Sequence, residues 1–119
     1  VGVCLNLQPH PTNTLMGEET RVVAGRGWLR ESFCNLQLRI GADTFFQVHT
    51  QQAERVVPLL LSALAAIPTG VMVDAYSGIG TYSLPVAAAG WHVHGIELSQ
   101  EAVNHNYALM LPPSCLESS

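Results

Sequence analysis

The stretch V-M-V-D-A-Y-S-G-I-G-T-Y-S-L, residues 71–84, decides how the chain is read. Its first five residues form a continuous apolar run, the pattern of a strand buried on both faces. A loop over residues 76–80 follows, with glycines at 78 and 80, and then a helix is expected over 81–89, stopped by Gly90. A glycine loop between a buried strand and a helix is a nucleotide-binding turn, and ligands of open α/β sheets sit at the carboxyl ends of the strands. Gly78 permits a backbone torsion that a side chain resists, and Gly80 lets the chain approach a ligand closely. The helix start behind them offers free N–H groups.

A dinucleotide fingerprint requires G-x-G-x-x-G or A, and the third position here is Ser83. Asp74 stands at the strand end, four residues before Gly78. A fixed carboxylate there competes with a pyrophosphate but suits a ligand carrying an ammonium group, such as the methionine part of S-adenosylmethionine. W-H-V-H-G-I at 91–96 reads as the next strand, and Glu97 follows it, 17 residues after Gly80. A carboxylate at that tip can accept hydrogen bonds from both ribose hydroxyls. Asp74, Gly78, Gly80 and Glu97 in register are the physical argument for an adenosyl ligand. The blander alternatives are a tight β–α connection and a solvated strand-end acid. A nicotinamide-dinucleotide oxidoreductase is the rival reading, disfavoured by Ser83 and Asp74. A non-enzymatic remnant with a decayed cofactor turn is the third.

Outward from the motif the chain divides near residue 50. Residues 50–119 read as α-β-α-β-α. Val56, Leu60, Ala63, Leu64 and Ile67 fall on one helical face, with Thr50 as N-cap and Pro58 off that face. Pro68, Thr69 and Gly70 end this helix. Ser99 caps a last helix running to about Met110, where Pro112 and Pro113 stop it. A right-handed crossover makes strands 71–75 and 91–96 parallel neighbours. Two parallel strands do not make a stable sheet, so the chain is expected to be part of a longer protein. Residues 1–49 carry short alternating runs at 1–7, 20–24, 34–40 and 44–48, the pattern of a small antiparallel sheet.

The 119 residues suffice for one small domain. Apolar residues make up 48% and charged residues 12%, which suits a packed core rather than disorder. The longest apolar stretch, 56–67, is well short of the roughly 20 residues that span a bilayer. No signal peptide is expected, since the amino end carries no basic region. The net charge is −4 and the five Lys and Arg residues are all arginines, so any nucleic-acid-binding surface is expected mostly outside this chain. Cys4, Cys34 and Cys115 have no metal spacing, and their sparse, odd count fits a reducing cytoplasm. His92 and His94 share a strand face but have no third ligand nearby, so no metal is expected. Cys115 lacks a neighbouring histidine and is not read as a nucleophile.

At these residues the sequence resembles the RNA uracil-C5 methyltransferases, which form 5-methyluridine in tRNA and 23S rRNA. D-A-Y-S-G-I-G-T at 74–81 is similar to the family's D-x-Y-C-G-x-G-x motif, and G-I-E at 95–97 to its G-x-E. F-F-Q-V at 45–48, followed by Gln52-Ala53-Glu54, resembles F-F-Q-V-N and the helix after it. N-L-Q-P-H-P-T-N-T-L-M-G at 6–17 is similar to the start of the family's catalytic domain. Three departures are visible: Ser77 stands where the family often has a cysteine that is not the nucleophile, His49 replaces the asparagine of F-F-Q-V-N, and the tail L-P-P-S-C-L-E-S-S at 111–119 does not read as the next strand.

The resemblance implies an α/β fold: the N-terminal half of a Rossmann-like class I methyltransferase domain, beginning at residue 50, preceded by a small antiparallel β subdomain over 1–49. It implies S-adenosyl-L-methionine as cofactor and Gln47, Asp74, Tyr76, Gly78, Gly80, Thr81 and Glu97 as its site. On physical grounds alone Gln47 is an ordinary strand amide, and Tyr76 either packs on the adenosyl group or covers the sheet edge. The family's catalytic cysteine, which attacks uracil C6, and the glutamate that removes the C5 proton are expected beyond residue 119. The chain alone is therefore expected to hold no catalytic residue and to be inactive.

Overall fold

A computed structural model describes residues 1–107, with side chains to 104. The expected helix end near Met110, the His105 side chain, Cys115 and the 111–119 tail lie outside the described residues. The elements are β1 (Gly2–Leu7), β2 (Glu19–Gly25), β3 (Trp28–Phe33), β4 (Leu36–Gly41), α1 (Thr50–Leu64), β5 (Val71–Asp74), α2 (Ser83–Ala88), β6 (His92–Gly95) and α3 (Gln100–Tyr107). The architecture is mixed α/β. Strands β1–β2 and β3–β4 form antiparallel pairs, and β5–β6 form the expected parallel pair, with Asp74 opposite Gly95.

Besides β3, where no strand was expected, the antiparallel half differs from expectation in three places. It is two hairpins rather than one sheet. The strand expected over 34–40 begins only at Leu36, because Cys34 and Asn35 adopt φ of 48° and 62° and close a two-residue turn from Phe33 to Leu36. Two consecutive positive φ values match the right-handed twist of a hairpin, and asparagine tolerates them well. Residues 44–48 are not a strand. Thr44 Oγ1 accepts from the Gly41 amide at 2.8 Å and donates to its carbonyl at 3.1 Å, so the chain turns away from β4.

Helix α1 starts where expected, but its cap is His49 rather than Thr50: His49 Nδ1 accepts from the Gln52 amide at 3.2 Å. The inward face is rotated by about one residue. Ala53 and Val57 are buried, whereas Val56 is 44% exposed and Ile67 lies beyond the helix end. Glu54 sets this rotation. Its Oε1 accepts from the Cys34 amide at 2.7 Å, and its backbone carbonyl lies 3.9 Å from Cys34 Sγ. Pro58, four residues on, lacks the N–H that would otherwise occupy that carbonyl. Burial, and then the Glu54 carboxylate, push the Cys34 thiol above its ordinary value, so at neutral pH it stays a protonated donor.

The core joins Phe33 and Leu38 of the second hairpin to Ala53 and Val57 of α1, Ile79 of the glycine turn, Leu84 of α2 and Ala102 of α3. Anchoring Ile79 in this cluster fixes the turn on the rest of the molecule. Strand β5 is not buried on both faces here. Met72 and Asp74 are half-buried, while Val71 and Val73 are 65% and 58% exposed on the other side.

Candidate functional site

Backbone bonds bring the two parallel strand tips together. The Ile96 amide donates to the Asp74 carbonyl at 2.8 Å, the Ser77 amide to the Ile96 carbonyl at 3.1 Å, and the Gly80 amide to the Ser77 carbonyl at 2.8 Å. Gly78 and Gly80 hold φ of 53° and 88°. A side chain in this region costs about 1–2 kcal/mol. A Cβ on Gly78 would meet no atom within 4 Å, so torsion rather than crowding requires glycine there, and the space beside the turn is open. Ser77 and Ile79 point inward and are buried, while Tyr76 is 93% exposed.

Two carboxylates flank this turn. Glu97 Oε2 accepts from the Gly78 amide at 2.9 Å, and its Oε1 accepts from the Ser99 amide at 2.8 Å. The Ser99 amide, with help from those of Gly78 and Leu98, holds the Glu97 carboxyl below its ordinary value, against the opposing effect of desolvation. Ser99 Oγ in turn accepts from the Ala102 amide at 3.2 Å, which caps α3 as expected. Asp74 Oδ2 accepts from the Ser83 hydroxyl at 2.6 Å, and its Oδ1 lies 3.4 Å from the Tyr76 amide. Each carboxylate oxygen has a second lone pair, so both groups can still accept bonds from a ligand.

The lowered Glu97 value gives the turn an acid dependence. Its stabilising contribution is fully present above the ordinary carboxyl value of 4.5 and is lost as pH falls through the lower folded value. The denaturation midpoint of the full natural chain is therefore expected to drop below about pH 4.5, and Glu97→Gln to remove that part of the drop. Superimposable acid profiles for the two proteins would contradict this.

Sequence reasoning missed Ser83, treating it only as an absent glycine. The residue is only 3% exposed and supplies the hydroxyl that fastens the start of α2 to Asp74. The signal was a small hydroxyl residue in the first turn of a helix that follows an acidic strand tip. Ser83→Ala is expected to cost about 1.5–3 kcal/mol in urea denaturation, the range for a hydrogen bond to a charged group. An unchanged midpoint would remove Asp74–Ser83 as a structural link.

Of the seven expected site residues, Asp74 is bonded to Tyr76 and Glu97 to Gly78 as two separate pairs, and Gly80 and Thr81 continue the same turn. Gln47, half-buried ahead of α1, has no hydrogen bond to the turn among the described residues. Beside it Phe46 meets Phe33 edge to face at 6.1 Å, while Phe45 is 75% exposed, so one of the two aromatics belongs to the core. The His92 and His94 rings meet edge to face at 4.8 Å on the exposed side of β6. Among the described residues no three metal-ligating side chains converge. A concavity lined by Leu7, Gln8, His10 and Glu19 belongs to the β1–β2 loop and shares no residue with the glycine turn.

A parallel strand pair with a glycine turn at its carboxyl end is an arrangement that many nucleotide-binding α/β proteins share. Comparison with known proteins shows what the chain is related to. The chain is 51% identical over 104 residues to an uncharacterized RNA methyltransferase of Parasynechococcus marenigrum, covering 87% of this chain and 22% of that protein. It is 45% identical over 103 residues to an uncharacterized RNA methyltransferase of Synechocystis, again over 87% of this chain and 22% of the relative. The chain is thus related to the RNA methyltransferases, and it spans about a fifth of the length of these curated relatives. No family model matches it. The fold is similar to that of the Pyrococcus abyssi tRNA (uracil-54, C5)-methyltransferase solved with S-adenosyl-L-homocysteine: the TM-score is 0.71 at 21% identity, over 90% of this chain and 26% of that one.

Proposed function

We propose that this chain supplies the front of the S-adenosylmethionine site of an RNA uridine C5-methyltransferase. Residues 50–119 are the start of the cofactor domain, and residues 1–49 are the β subdomain leading into it. The observation that carries this reading is the pair of carboxylates, Asp74 and Glu97, bonded to one glycine turn. The residues suit the cofactor chemically. Ionised Glu97 can accept from the ribose hydroxyls, Asp74 offers a negative charge to the methionine ammonium, and the open space beside Gly78 admits the ligand. Exposed Tyr76 is available to stack on the adenine, and Thr81 and Gln47 complete the lining. When bound, the cofactor supplies the electrophilic methyl group. No residue of this chain is assigned as nucleophile or base, and the chain alone is inactive.

The RNA is tRNA or 23S rRNA, acted on in the cytoplasm and held mostly by surfaces outside this chain. Among the described residues no helix is long and apolar enough to cross a membrane. The test is methyl transfer by the full natural chain to RNA carrying tritium at uridine C5. Release of tritium in step with methyl incorporation is expected, because the C5 proton must leave. Methyl incorporation without tritium release would place the reaction at another atom. Tight binding of NADH in place of S-adenosylmethionine would restore the nicotinamide reading.

A further inference from the structure

The outer face of the β3–β4 hairpin is the most basic part of an acidic chain. The strands pair Arg30 with Arg39 and Trp28 with Gly41, so Trp28, Arg30, Ser32, Gln37 and Arg39 share one face. Phe33 and Leu38 lie on the opposite face, in the core. Arg26, in the link from β2, joins the outer face. The guanidinium carbons of Arg39, Arg26 and Arg30 lie 4.3, 4.6 and 5.8 Å from the Trp28 ring centroid. Three of the five basic residues of a chain with net charge −4 thus surround one indole. None of the three forms an ion pair among the described residues, where the salt bridge found is Arg21 with Glu19. A concavity of about 450 Å³, lined in part by Cys4, Arg26, Trp28 and Arg30, opens beside them.

This arrangement is costly for the free protein. Like charges directly opposite on paired strands destabilise a hairpin. Cation–π contact with Trp28 offsets part of that cost and holds the guanidiniums in a fixed group. A preordered set of forked donors with no acidic partner matches the oxygens of successive phosphodiesters. We infer that the Trp28–Arg26–Arg30–Arg39 face binds the phosphate backbone of the RNA substrate, with Trp28 as the residue that positions the guanidiniums. The inference rests on the proposed reading of RNA as substrate.

The test is fluorescence anisotropy with the full natural chain and a labelled single-stranded oligouridine of about 12 nucleotides, over a series of salt concentrations. Replacing all three arginines (R26Q, R30Q, R39Q) is expected to weaken RNA binding roughly 10-fold or more at low salt and to reduce the salt slope by about 2, at about 0.7 per released phosphate contact. Trp28→Leu keeps the charges, so it is expected to lower affinity while largely retaining the slope. S-adenosylmethionine affinity, measured by calorimetry on the same samples, stays at the wild-type value and shows that the variants are folded. RNA affinity and slope unchanged in the triple variant would overturn the assignment while leaving the methyltransferase reading intact. Failure of the wild-type protein to bind RNA at all would overturn both.

Discussion

Glu97→Ala is expected to weaken S-adenosylmethionine binding by the full natural chain roughly 10- to 150-fold, the equivalent of losing about 1.5–3 kcal/mol from hydrogen bonds to a charged acceptor. The carboxylate has two tasks here. It accepts from the Gly78 and Ser99 amides, which fasten the turn, and on the proposed reading its remaining lone pairs accept from the ribose hydroxyls. The two tasks are separable by ligand choice. Wild-type protein is expected to prefer S-adenosylhomocysteine over its 2′-deoxy analogue, and the preference to shrink toward unity in Glu97→Ala. A variant that bound both ligands more weakly but kept the full preference would show that Glu97 only fastens the turn. Unchanged affinity would remove it from the site.

Phe33→Ala is expected to give the largest stability loss, about 3–5 kcal/mol in urea denaturation, the range for deleting a buried aromatic ring. Phe33 is fully buried, meets Phe46 edge to face, and belongs to the cluster that also holds Leu38, Val57 and Ile79. That is a large share of the 5–15 kcal/mol that typically separates folded from unfolded protein. Because Ile79 lies between the two glycines of the turn, loosening this cluster also loosens the proposed cofactor site, and cofactor affinity is expected to fall in the same variant. A loss below about 1 kcal/mol would mean that the hairpin does not anchor the core.

The parts of the fold that were legible in the sequence are those whose signal is local and strong. The strand at 71–74, the glycines at 78 and 80, and Gly90 after α2 each carry a signal within a few residues, although the strand's expected burial on both faces does not hold. The placing of Asp74 and Glu97 at neighbouring strand ends followed from them, because a right-handed crossover leaves adjacent parallel strands with adjacent tips. What was missed depends on contacts between distant residues. Strand β3, W-L-R-E-S-F, carries Arg30 and Glu31 at its centre, and only its pairing with β4 shows that the arginine faces outward. The turn at Cys34 and Asn35 lacks the glycine that usually marks two positive φ values. The inward face of α1 was misread by about one residue, since the helix is oriented by Glu54 bonding back to Cys34 across 20 positions. Ser83 was read against a dinucleotide pattern rather than against Asp74. The arginines around Trp28 are scattered over residues 26–39 and become one patch only when the hairpin closes.

The most direct measurement is a crystal structure of the full natural chain with S-adenosylhomocysteine. The ligand is expected beside Gly78, with both ribose hydroxyls within hydrogen-bond reach of the Glu97 carboxylate and the amino-acid end toward Asp74. A ligand bound elsewhere, or one whose ribose faces away from Glu97, would contradict the assignment of this turn as the cofactor site.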